Sequence, residues 1–197
     1  MIETSKNKTF NLALIAVMTA VICILGPLSI TIPVSPVPIS FTNLAIYLTV
    51  YVLGAKKSTI SYLVYLLIGF VGVPVFSAFT AGPTKLLGPT GGYLIGFIFM
   101  AFISGLFIEK FPEKIYMAVI GMVLSTIITY TFGTVWLAYQ ASLTFKQALF
   151  AGVIPYLPGD TVKIILANIV GPVLRKQLLK AGYITNPANT TDNKETA

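Results

Sequence analysis

The sequence predicts an all-α integral membrane protein, a compact bundle of six transmembrane helices with both termini in the cytoplasm. Three observations predict it. The 197 residues are 56% hydrophobic and only 10% charged, with a mean hydropathy of +0.88, whereas a soluble domain carries about 25% charged residues. The apolar residues gather into runs of membrane-crossing length separated by short polar turns. The basic residues punctuate those runs and form no single patch, so the net charge of +7 reads as membrane topology and not as a nucleic-acid surface. One bundle domain is expected over 1–185, and the polar composition of 186–197 predicts a disordered tail.

The polar, basic segment 1–9 precedes an apolar run from Phe10 to Leu25 that ends at Gly26-Pro27. No small-residue cleavage site follows, and Ile30, Ile32 and Val34 continue the apolar character, so a retained first helix is expected. Ala13, Ala16 and Ala20 share one face of it. This small-residue face allows close approach of a second helix, within this bundle or from another protein. Residues 26–40 hold four prolines and no charge, which predicts an extended loop folded back on the bundle. The second span, 41–53, has Thr42 or Asn43 as candidate caps. At 1.5 Å per residue it covers only about 20 Å of a core about 30 Å thick, so the loop before it is expected to complete the crossing.

Ala55-Lys56-Lys57-Ser58 reads as a tight basic turn, and the third span follows from Thr59 to Gly72. A long linker, 73–90, has Lys85 as its only charge. The fourth span, from Gly91 to Ile108, carries a Gly92-xxx-Gly96 packing pattern. The fifth runs from Ile115 to Tyr139, with Trp136 and Tyr139 suited to an interface. A short interfacial helix is expected within 143–154. Pro155 and Pro158 end it, and Gly159-Asp160 opens a sixth span that closes at Leu174.

Composition also excludes chemistry. There is no His and a single Cys, read as a buried thiol, so the common zinc sets and His-dependent triads are absent. Neither a phosphate-binding Gly-x-x-x-x-Gly-Lys loop nor a Gly-x-Ser-x-Gly elbow occurs. The chain is therefore not expected to be an enzyme, to hold a cofactor or metal, or to use ATP itself.

Six spans place Lys6, Lys8, Lys56, Lys57, Lys110, Lys114, Arg175, Lys176, Lys180 and Lys194 on one side, and Lys85 and Lys146 on the other. Ten against two sets the first side in the cytoplasm. The proline loop, the 73–90 linker and the start of span six then face outward. Asp160 and Lys163 stand at that outer end, in a run that is otherwise apolar. A charge within a span costs about 2.5–3.5 kcal/mol and calls for a partner inside the bundle. The two residues read either as a mutually neutralising ion pair or as the polar end of a binding site. Asp160, Lys163, Ile164, Ala167 and Gly171 share one helical face. Gly91 and Gly92 permit close backbone approach at a helix start whose amides can hold an oxygen. Asn43 offers an amide at the same membrane face.

Pro36-Val-Pro-Ile39, the blocks Gly69-Phe-Val-Gly-Val-Pro-Val-Phe76 and Gly88-Pro-Thr-Gly-Gly-Tyr-Leu-Ile-Gly-Phe97, and Pro155-Tyr-Leu-Pro-Gly-Asp-Thr-Val-Lys163 with Pro172-Val-Leu-Arg175 occur in this order. Together they resemble the BioY family, the biotin-specific substrate-binding (S) components of energy-coupling-factor (ECF) transporters. Thr42 departs from that pattern, which often has Gln. The resemblance implies a prokaryotic plasma-membrane protein that captures biotin from outside. It implies delivery through a transmembrane coupling protein and two cytosolic ATPases, which would use the ATP. By this resemblance Asp160, Lys163, Tyr93, Asn43, Gly91 and Gly92 contribute to the biotin site, and Ala13, Ala16 and Ala20 dock the coupling protein. The alternatives are an S-component for another small vitamin, or a biotin carrier acting without the ATPases.

Overall fold

The computed structural model describes residues 8–31, 36–112 and 114–184; the 186–197 tail lies outside them. The long helices are α1 (Lys8–Leu25), α2 (Thr42–Phe70), α4 (Gly91–Lys110), α5 (Ile115–Gln140) and α7 (Leu157–Lys180). Two short ones lie between them, α3 (Pro83–Leu87) and α6 (Phe145–Gly152). Four stretches are long and apolar enough to cross a membrane: α1, α4, α5 and Phe145–Lys180.

The helix α2 is two limbs, 42–53 and 55–70, divided at Gly54. Gly54 has φ 72° and ψ −171°, a backbone region open essentially to glycine alone. The chain reverses there, so that Tyr65 of the second limb comes back within hydrogen-bonding reach of Thr42 at the start of the first. Two limbs joined by one residue bring the count of long helical segments to six. The expected four-residue turn at 55–58 is therefore corrected: Ala55–Ser58 already belong to the second limb. No loop is needed because a single glycine performs the reversal.

Other boundaries also shift. Ser29–Ile30 (β1) and Ile39–Ser40 (β2) pair antiparallel inside the proline loop, Ser29 opposite Ser40 and Ile30 opposite Ile39, giving that loop a hydrogen-bonded base. The linker is not structureless, since it holds a 3₁₀ turn at Ser77–Phe79 as well as α3. The Ala78 N–H ties it to the hairpin through the Pro27 carbonyl (3.0 Å) and Ser29 Oγ (2.8 Å). Lys85 within it is half-buried, and burial pushes its pKa down. Phe41, not Thr42 or Asn43, occupies the N-cap position of α2. The interfacial helix α6 opens on a capping box that the sequence reading passed over, Thr144 with Gln147. Finally, α7 continues to Lys180, past the expected end at Leu174.

Packing follows small residues. Gly92 faces Trp136, and Gly96 faces Thr129, so the predicted pattern on α4 is where α5 sits. Buried hydroxyls link the helices in pairs: Thr19 with Ser61 (2.9 Å), Ser104 with Ser125 (2.7 Å), and Tyr62 donating to the Leu94 carbonyl (2.9 Å). Tyr47, Tyr62, Tyr65 and Phe76 fill the centre. Gly171 of α7 is covered by the ring of Tyr51, and a Cβ there would lie 2.0 Å from its Cδ2. Gly171→Ala is expected to cost about 1–3 kcal/mol through overpacking. The measurement is the thermal melt in detergent, where an unchanged midpoint contradicts this packing.

Candidate functional site

Pro155 sits in a 3₁₀ turn (Ile154–Tyr156) that follows α6, and Pro158 lies in the first turn of α7. Proline suits that place because its missing N–H has no helical partner to lose. The result puts Asp160 in the first turn and Lys163 one turn below it. Both are buried, 8% and 6% exposed.

Lys163 Nζ donates to Asp160 Oδ1 at 2.9 Å, so the ion pair read from the sequence is made. It is only part of a network. Asn43 Nδ2 donates to the same oxygen at 2.8 Å, and the Tyr130 hydroxyl donates to Oδ2 at 2.5 Å. Lys163 also donates to the Ser40 carbonyl of β2 at 2.7 Å and lies 5.9 Å above the Phe41 ring. Removing one member of a buried pair of this kind leaves an uncompensated charge, at about 3–5 kcal/mol. A carboxylate offers about four acceptor positions and an ammonium three donors. Among the described residues three donors reach Asp160 and two oxygens reach Lys163, so each retains capacity for a ligand.

The network forms part of the wall of a cavity of about 60 Å³ that opens toward the surface. The hairpin supplies Val37 to Ser40, the linker supplies Ser77 and Thr90, α4 supplies an apolar flank of Leu94, Phe97 and Met100, and α5 adds the hydroxyls of Thr126, Thr129 and Tyr130. All three segments expected to converge meet here.

Of the sequence-selected residues, Asp160, Lys163, Asn43 and Tyr93 line this cavity. Gly91 and Gly92 do not. They receive Trp136 on the other side of the helix start, and the Gly91 amide, expected to be available to an oxygen, already donates to the Gly88 carbonyl at 3.0 Å. Tyr93 presents its ring, while its hydroxyl donates to the Gly152 carbonyl at 2.8 Å. Thr42 is buried and takes a hydrogen bond from Ser40 Oγ at 3.0 Å. Ala13, Ala16 and Ala20 lie on the exposed face of α1, away from the cavity.

Three contributors escaped the sequence reading. Tyr130 was available as a signal, since Thr129-Tyr130-Thr131 is a polar cluster inside a span, and buried hydroxyls need partners. Ser40 acts through its backbone, which no side-chain pattern reveals. Tyr156 donates its hydroxyl to the Val37 carbonyl, fastening the proline loop to the start of α7. Among the described residues no three His, Cys, Asp or Glu side chains cluster to hold a metal.

Membrane-length helices, a buried ion pair and an apolar chamber beside it define a membrane-embedded substrate-binding protein. The sequence profile of the BioY family matches residues 2–180, and the chain belongs to that family. It is 34% identical over 181 residues to the biotin transporter BioY2 of Lactococcus lactis subsp. cremoris, covering 91% of this chain and 98% of the relative. It is 36% identical over 147 residues to the biotin transporter BioY of Thermotoga maritima, covering 75% and 86%. Its fold matches the crystal structure of the S-component for biotin from an ECF-type ABC transporter, with a TM-score of 0.81 at 33% identity over 88% of this chain and 95% of that one. The expected all-α, six-helix membrane fold is thereby established.

Proposed function

We propose that this chain is the biotin-binding S-component of an ECF-type transporter. The observation that carries the reading is the Asp160–Lys163 pair in the wall of an apolar cavity. Biotin joins an apolar bicycle and valeryl chain to a ureido group and a carboxylate. Ionised Asp160 only accepts hydrogen bonds and suits the ureido N–H groups. Lys163 only donates and suits the ureido oxygen or the carboxylate. The ring of Tyr93, with Leu94, Phe97 and Met100, offers the apolar body its contact area. Asn43 and Tyr130 hold Asp160 in place, so little reorganisation is needed on binding.

The family and the two relatives named as biotin transporters support the same ligand. The match to an S-component from an ECF-type ABC transporter supports assembly into such a transporter, with a coupling protein and two ATPases as the partners this reading assigns. The ten-to-two distribution of basic residues puts the cavity on the outside and both termini in the cytoplasm. The test is to purify the chain from biotin-supplied cells and identify retained small molecules by mass spectrometry. Roughly one biotin per chain is expected, as for a single site whose polar groups match the ligand. Retention of a different vitamin in its place overturns the reading.

A further inference from the structure

At the end of the bundle opposite Asp160, a second cavity of about 660 Å³ opens between the α4–α5 turn, the first limb of α2 and the last turns of α7. Arg175 lines it and is only 6% exposed, and its Nη1 and Nη2 have no hydrogen-bond partner among the described residues. A buried cation with open donors is costly unless something pairs with it. The negative charge of Glu109 acts on Arg175, and its carboxylate accepts the Ala55 N–H at 3.0 Å. The Tyr51 hydroxyl donates to Asn168 at 2.7 Å. Exposed Lys114 and Lys176 add positive charge at the rim, while Ile115, Ala118 and Leu179 make the walls apolar. Glu113, beside Lys114, lies outside the described residues.

We propose that this cavity binds the headgroup phosphate of an anionic phospholipid on Arg175, with an acyl chain along the apolar wall. A guanidinium fork matches two phosphate oxygens. A basic pocket between helix ends is a setting in which acidic lipid headgroups are held. The volume far exceeds the roughly 10–15 Å³ that one water needs, and the lining joins a cation to apolar side chains, as an amphiphile requires.

The experiment is native mass spectrometry of the full chain in uncharged detergent, with phosphatidylglycerol or phosphatidylcholine added at equal concentration. Preferential retention of phosphatidylglycerol is expected. Arg175→Gln should lower it by at least about tenfold, the loss of a charge-assisted bidentate contact. Lys114→Gln with Lys176→Gln alters only exposed positions and should lower it by a smaller factor. It decides the matter if Arg175→Gln does not elute as a folded, monodisperse species. Equal retention of the two lipids overturns the proposal, as it means solvent fills the cavity. Retention unchanged in both variants overturns it too. So does displacement of the lipid by equimolar inorganic phosphate, which would make the site one for a free anion.

Discussion

Replacing Asp160 with asparagine is expected to weaken biotin binding by about one to two orders of magnitude, the range set by one or more hydrogen bonds to a charged group. The substitution keeps the shape and one amide oxygen, so Asn43 and Lys163 retain an acceptor. What it removes is the negative charge and the acceptor-only character on which the ureido N–H groups depend. It also leaves Lys163 buried without its counter-ion. Tyr130→Phe is the informative companion, because it deletes one donor to Asp160 and keeps the charge. Its effect should stay within about tenfold. Titration calorimetry on purified protein that still elutes as a folded, monodisperse species measures both. Wild-type affinity in Asp160→Asn would falsify the assignment of the site.

Bulky substitution of Ala16 and Ala20 should separate binding from transport. Both alanines are exposed on α1 and distant from the cavity, so Ala16→Leu/Ala20→Leu is expected to leave biotin binding by the purified protein unchanged. Uptake in cells carrying the complete transporter should fall to background. Lipid covers exposed apolar residues of a membrane helix such as Leu12, Val17 and Ile24 without discrimination. Small size is the distinguishing property of the alanine face, since it lets a partner backbone approach closely and two added side chains prevent that. Wild-type uptake in this variant removes α1 as the docking helix.

The spans and the charged pair were legible in the sequence because both obey strong rules. Apolar length reports crossing, and a charge within an apolar run reports a partner. The Gly92-xxx-Gly96 contact with α5 was legible for a similar reason, as small residues only help where something packs on them. Gly91 and Gly92 show where such reasoning stops. Their lack of side chains permitted a ligand or a neighbouring helix; the Leu86 carbonyl and Trp136 took the space at Gly91, and Trp136, 44 positions away, took it at Gly92. The same limit applies to Ser40, whose contribution is a carbonyl that every residue type possesses. Tyr130 was accessible in principle, but which buried acceptor a hydroxyl finds depends on the packing of α5 beside α7. Arg175 was read as a topological count and as the end of the Pro172-Val-Leu-Arg175 block, but not as buried, since nothing local told that α7 continues past Leu174.

The reversal at Gly54 has a mechanical meaning. A helical hairpin with a one-residue joint holds no slack, so neither arm can slide along its neighbour without forcing that residue out of its permitted backbone region. Asn43 on one arm and Tyr65 on the other are thereby tied to the closed end of the hairpin, where the Ala55 amide is held by Glu109. The hairpin thus links Asn43, beside the cavity, to the Glu109–Ala55 contact at its closed end through one conformationally restricted residue.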